Sequence, residues 1–155
     1  MAVQLGVYSF VDVVVAISGP GGTLDIASGG VAEEGVHIVM DANKDVLTIG
    51  ANGDGMHSLK AGNSGTVTIT LLKTANGNAQ LSQIFRHQKS SSAYWGGNIL
   101  NLTNPVTGDV ITCIGGAFEK HPDLHYAGEG GMHAWAFKFT SIDIILGNNF
   151  QNTGL

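Results

Sequence analysis

Residues 66–71 read Thr-Val-Thr-Ile-Thr-Leu, a strict two-residue alternation of hydroxyl and hydrocarbon side chains. Only an extended strand puts Thr66, Thr68 and Thr70 on one side and Val67, Ile69 and Leu71 on the other. Such a strand has one wet face and one dry face. Glycine cuts the rest of the chain into pieces of similar size. It supplies 23 of the 155 residues, about twice the usual ~7%. The clusters at 19–22, 29–30, 50–55, 62–65 and 128–131 follow no three-residue period. They mark turns, where positive φ carries no steric penalty for glycine. The chain is therefore expected to be mainly β.

The strand pattern recurs along the sequence. Val7–Ile17 predicts a first strand with Val11, Val13, Val15 and Ile17 on one face and Phe10, Asp12, Val14 and Ala16 on the other. Thr23–Ala27 follows after the Gly19–Gly22 turn. Val36–Met40 and Val46–Ile49 flank a polar turn and read as a hairpin. Gly50–Gly65 reads as a long glycine-rich loop, of the kind that tends to be functional or disordered. Ile99–Leu102 and Val110–Ile114 surround the turn signal Asn104-Pro-Val-Thr-Gly-Asp109. His133–Leu146 closes the chain, with Trp135, Phe137 and Phe139 on one face. One helix is expected over Ala79–Lys89, opened by Asn76-Gly-Asn78 with Asn78 as N-cap. Leu81, Ile84, Phe85 and Gln88 fall on one stripe, which would pack on a sheet. Arg86, His87 and Lys89 suit the negative end of the helix dipole. These elements predict one domain over residues 1–155, an antiparallel β-sandwich or barrel with one packed α-helix.

Hydrophobic residues make up 43% of the chain and charged residues 12%. Uncharged polar residues must then cover the surface, which suits a subunit buried among neighbours and equally an ordinary small β domain. The formal charge of −5 argues against tight binding of DNA by phosphate neutralisation. The single cysteine, Cys113, sits in an apolar run and reads as a buried, inert thiol. The first apolar run lacks a preceding basic region and includes Asp12. No signal peptide or membrane span is expected from it, and a reducing cytoplasm suits the chain.

No reaction centre stands out. His121, His125 and His133 lie near Asp123 and Glu129, but Pro122 breaks the helical spacing that would align His121 with His125. Cys113 lacks an adjacent base. Glu33-Glu34 reads as loop. Gly50-Ala-Asn-Gly-Asp-Gly55 has neither the closing Glu of a calcium hand nor the Lys of a phosphate loop. No metal, cofactor or catalytic group is expected.

Four segments, in order, resemble the tail tube proteins of contractile phages. They are Tyr8-Ser-Phe-Val-Asp-Val-Val-Val15; Gly50–Gly55 with Ser64–Leu72; Thr74–Phe85; and Gly116-Ala-Phe-Glu-Lys-His-Pro-Asp123 with Trp135 onward. The family also resembles the tube protein of type VI secretion. The resemblance implies hexameric rings whose sheets join into one continuous β-barrel and which stack into a hollow tube. It implies a sheath outside, baseplate and tail-terminator proteins at the ends, and DNA passing through without tight binding. It places the protein in the virion tail after assembly in the host cytoplasm, with no membrane partner. On that reading Thr66, Thr68 and Thr70 suit a wet lumen, and Asp12, Asp41, Asp45 and Asp109 are candidates to line it. Asn52, Gly53, Asp54, Met56, His57 and Ser58 are candidates for ring-to-ring contact, through a loop that orders on its neighbour. Gln80, Gln83 and Arg86 would face a sheath. A secretion-system tube protein carrying effectors and a small β-sandwich binding module remain as alternatives, and an enzyme reading has no acid–base pair behind it.

Overall fold

The fold is that of a computed structural model, which describes residues 4–26, 31–147 and 150–152. Eleven strands and one α-helix lie within them. They are β1 (Gln4–Gly6), β2 (Val14–Gly19), β3 (Gly22–Ile26), β4 (Val31–Met40), β5 (Asp45–Ile49), β6 (Gly55–Leu59), β7 (Gly65–Leu72), α1 (Asn76–Gln88), β8 (Asn98–Asn104), β9 (Asp109–Phe118), β10 (Met132–Ile145) and β11 (Phe150–Asn152). The architecture is mainly antiparallel β with a single packed helix. Ala27 and Gly29–Gly30 lie outside the described residues.

Seven strands form one sheet in the order β3-β2-β8-β9-β10-β7-β4, with every neighbouring pair antiparallel. The sheet does not close on itself, so β3 and β4 are its edges. Because seven is odd, the two edge strands run in the same direction. The small pairs β1–β11 and β5–β6 stand outside it.

One face of the sheet is the core. Val15, Ile17, Leu24, Leu100, Cys113, Val67, Ile69, Trp135, Phe137 and Phe139 are buried on it. Leu81 and Ile84 of α1 join the same cluster. The helix lies where the sheet curls. Its Gly77 approaches both Leu71 of β7 and Leu24 of β3, strands far apart in the sheet order. Burying this apolar face is the main stabilising term, because a two-stranded ribbon alone is marginal in water.

A shared irregularity keeps the core side continuous. Phe139 and Ile142 of β10 are both buried, although three residues apart, and so are Gly116 and Cys113 of β9. The two strands stay in register through this step, with Phe139 opposite Gly116 and Ile142 opposite Cys113. Strand β8 does not take the step, so its register against β9 shifts between Asn98 and Leu100. The surplus residue in β9 is Gly115, at φ +67°. That left-handed conformation is the one glycine adopts freely.

Several expectations need correction. The run 7–17 is not one strand. Ser9–Val13 curls into a short 3-10 turn, with the Asp12 and Val13 amides bonded to the Ser9 and Phe10 carbonyls. The turn presents the Phe10 ring to Gly35 of β4, and only Val14–Gly19 extends. Strands 36–40 and 46–49 do not pair with each other. β4 adds to β7, while β5 pairs with β6. Gly50–Gly65 is therefore no long loop, since β6 lies inside it. Glu33 and Glu34 lie within strand β4 rather than a loop. The helix begins at Asn76, and its N-cap is Ala75 rather than Asn78.

Candidate assembly surfaces

Among the described residues two faces of this fold lack a covering element. The first is the sheet surface opposite the core. Thr66, Thr68 and Thr70 point out from it, paired across strands with Lys138, Ala136 and Ala134 of β10. His37 of β4 continues the Thr68 row. Farther along, a second row crosses five strands through Asp25, Ala16, Asn101, Thr112 and Asp143. The face mixes hydroxyls with a few charges and with the exposed aliphatic side chains Val14, Val39, Ile99, Val110, Ile114 and Ile145.

The second is the β5–β6 hairpin, which stands away from the core as an arm. Its turn is well built. The Gly50 amide donates to the Asp54 carbonyl at 2.7 Å and the Gly53 amide to the Gly50 carbonyl at 3.0 Å. Asn52 closes it, with Oδ1 accepting from the Asp54 amide at 3.2 Å and Nδ2 donating to Asp54 Oδ2 at 2.7 Å. Gly53 takes φ +91° at the apex. The base is held by Lys44. Its Nζ donates to the carbonyls of Lys60 at 3.3 Å and Gly62 at 2.6 Å and to Asn63 Oδ1. Midway, Asp45 Oδ2 lies 2.8 Å from His57 Nδ1. Asn52, Gly53 and Asp54 thus form the tip, and Met56, His57 and Ser58 lie on β6. The segment is not the flexible loop expected, because it is already hydrogen-bonded within one subunit.

The structure disperses the four expected carboxylates. Asp12 ends the 3-10 turn and Asp41 follows β4, where its amide bonds to the Ser64 carbonyl at 3.1 Å. Asp45 belongs to the arm. Asp109 is committed locally, since its Oδ1 accepts from the Gly147 amide at 2.8 Å. Asp25 and Asp143, absent from the expected set, share the uncovered sheet face. Their alternation with buried Leu24, Ile26 and Ile142 is the signal that could have found them.

On α1, Leu81 and Ile84 are buried and Phe85 is half-buried, edge-on to Phe118 at 5.2 Å between ring centres. Gln80, Gln83 and Arg86 are exposed. Asn78, expected as a cap, is a tie instead. Its Nδ2 donates to the Leu72 carbonyl at 2.7 Å, and its Oδ1 accepts from Trp135 Nε1 at 2.9 Å. The helix stripe pointed to Gln88, but its buried partner Asn98 carries no local signal. Gln88 and Asn98 exchange amide hydrogen bonds at 2.6 and 2.9 Å, and Gln88 also donates to the Pro20 carbonyl at 2.9 Å.

The histidines 121 and 133 share a small cleft with Asn78, Ser82, Tyr126 and Trp135. Burial, then the Lys73 and His121 charges, lower the His133 pKa. Among the described residues no three His, Cys, Asp or Glu side chains are placed to hold a metal ion. Burial pushes the Cys113 thiol up to about 11, which keeps it protonated and unreactive. Among the described residues no helix is long and apolar enough to cross a membrane.

A family model described as the bacteriophage PhiTE tail tube protein matches residues 5–147. The chain belongs to this phage tail tube family. A tail tube protein is a structural component of the virion tail that assembles with itself and joins other tail components. Among solved structures, the cryo-EM structure of the anti-feeding prophage cap, a tube-terminating cap, has a similar fold. It is 9% identical, with a TM-score of 0.55 over 94% of this chain and 95% of that one. At that identity the likeness is one of fold alone. No curated protein matches the sequence.

Proposed function

We propose that the protein forms hexameric rings that stack into the hollow inner tube of a contractile phage tail, through which DNA leaves the capsid. The observation that carries this reading is the open seven-stranded sheet, whose edge strands β3 and β4 have no further strand beside them among the described residues. Exposed edges are a liability that closure by identical copies removes. A head-to-tail contact between rings then extends the tube without limit.

The uncovered face with Thr66, Thr68 and Thr70 suits a wetted bore. Hydroxyls hydrate well and hold phosphates weakly, and a formal charge of −5 opposes DNA adhesion. Some of Asp12, Asp41, Asp45 and Asp109 are proposed to contribute to the bore, together with Asp25 and Asp143. The arm is the proposed contact between rings. The exposed side of α1 is proposed to meet a sheath, with baseplate and terminator proteins at the tube ends and assembly in the host cytoplasm. The role is structural rather than catalytic.

The fold likeness to a tube-terminating cap favours a second reading, in which the chain closes a tube as one terminal ring. Electron microscopy of the purified protein over a concentration series separates them. Stacked tubes are the expected result, and isolated rings would favour the cap. A strict monomer at high concentration would overturn both.

A further inference from the structure

Asparagine precedes glycine at Asn52-Gly53 and at Asn76-Gly77, and the fold treats the two pairs differently. Such a pair can react with itself. The glycine backbone nitrogen and the asparagine side-chain carbonyl carbon close a five-membered ring, and no glycine side chain obstructs the approach. Asn76-Gly77 opens α1, where helical backbone angles are fixed. Gly77 is also packed, with its Cβ position 3.2 Å from Leu71 Cδ1. Asn52-Gly53 is the apex of the β5–β6 turn, and both residues are exposed. Gly53 has nothing within 4 Å of its Cβ position and sits at φ +91°. Asp54 touches both ends of the Asn52 amide. Its backbone N–H donates to Asn52 Oδ1 at 3.2 Å, and its Oδ2 accepts from Asn52 Nδ2 at 2.7 Å. The first contact stabilises the negative charge that develops on Oδ1 under attack. The second holds the nitrogen that would leave.

We propose that Asn52 is a self-modification site, at which the Gly53 backbone nitrogen displaces the Asn52 side-chain nitrogen as ammonia. The Gly53 N–H donates to the Gly50 carbonyl at 3.0 Å, and it is freed when the exposed apex opens locally. It then gives its proton to water or hydroxide. The nitrogen bonds to Asn52 Cγ, the Cγ–Nδ2 bond breaks, and ammonia departs with a proton returned from solvent. Water adds to either carbonyl of the cyclic imide, and the ring opens to aspartate or to isoaspartate. Nothing is oxidised or reduced. The exchange adds a negative charge to a formal −5 and sets a second carboxylate against that of Asp54, where like charges oppose each other. Isoaspartate also lengthens the main chain by a carbon, inside the turn that the 2.7 Å Gly50–Asp54 bond closes. The apex thereby keeps an irreversible record of the time since the chain was made.

Peptide mapping by mass spectrometry tests this on the purified full chain, incubated folded and, in parallel, unfolded in urea. In heavy-oxygen water the converted residue should carry the heavy isotope, which separates it from asparagine already changed before the incubation. In the folded chain Asn52 should convert at least about tenfold faster than Asn76, because only the apex can bring the nitrogen onto the carbonyl carbon. Conversion should be at least about tenfold faster at about pH 8 than at about pH 6, because the attacking nitrogen must first lose its proton. In urea, where no fold distinguishes them, both pairs should convert. Asn52 left intact in the folded chain after a time that converts it in urea would overturn the proposal. Equal conversion of Asn52 and Asn76 in the folded chain would overturn it as well, since the fold would then select neither. The ratio of products gives an independent check. Isoaspartate arises only through the ring, so aspartate alone at position 52 would mean direct hydrolysis and would overturn the attack by Gly53.

Discussion

Trp135 donates its indole N–H to the side-chain oxygen of Asn78 at 2.9 Å, joining the first strong turn of α1 to the middle of the sheet. The indole is buried, and the Asn78 amide nitrogen holds the Leu72 carbonyl at 2.7 Å. One side chain therefore binds helix, β7 and β10 together. Asn78→Ala strands a buried donor and should cost about 2 kcal/mol, lowering Tm by roughly 4–8 °C for a chain of this size. Urea or thermal unfolding checks this. A loss below about 0.5 kcal/mol would mean that water replaces the bond.

Gln88 and Asn98 should behave as a unit. Each alone leaves its partner buried and half-satisfied, so Gln88→Leu and Asn98→Leu should each destabilise by about 1–3 kcal/mol. The double variant should cost clearly less than their sum, with a coupling of about 0.5–3 kcal/mol. A double-mutant cycle in denaturant reads this directly, and strict additivity would refute it.

Gly115 is required by its backbone. An alanine there must hold φ +67°, and its Cβ would meet Thr140 Oγ1 at 2.8 Å. Gly115→Ala should cost about 1–2 kcal/mol from conformation alone. Gly128, between β9 and β10 with nothing near its Cβ position, is the control, and Gly128→Ala should be close to neutral. Equal effects at the two positions would contradict the assignment of the surplus residue to Gly115.

His133 should make the fold acid-sensitive. Burial and the charges of Lys73 and His121 lower its pKa below the ordinary 6.5. The unfolded chain then binds a proton that the folded chain resists. Its contribution to stability is present above pH 6.5 and is lost as pH falls through the lower folded value. His133→Asn should flatten the stability curve across that acid window. A wild-type curve already flat there, measured by denaturant midpoint against pH, would reject this.

The sequence made the core strands readable because one residue type alternated with another along them. Thr66–Leu71 and Trp135–Phe139 needed no tertiary information. The helix stripe of Leu81 and Ile84 was legible for the same reason. The 3-10 turn was not, because Val7–Ile17 is apolar at both parities and the approach of Phe10 to Gly35 is a tertiary contact. The arm was missed because the glycines at 50–55 read as the start of a loop rather than the apex of a hairpin. Strand signals at 46–49 and 56–59 were present on both sides of it. The pairing of β4 with β7 joins residues about thirty apart and leaves no local mark. Asn78 illustrates the limit most clearly. A helix-start asparagine reads as a cap, and only the folded position of Trp135 gives it a different partner.

The odd strand count of the sheet sets how copies can meet. When subunits are related by rotation about a common axis, every copy keeps the same orientation along it. An edge β4 beside the next copy's β3 is then a parallel seam, although each ladder inside the subunit is antiparallel. Parallel pairing is slightly weaker per residue. Such a cylinder would carry its softest joints between molecules, and under load it would part into intact wedges.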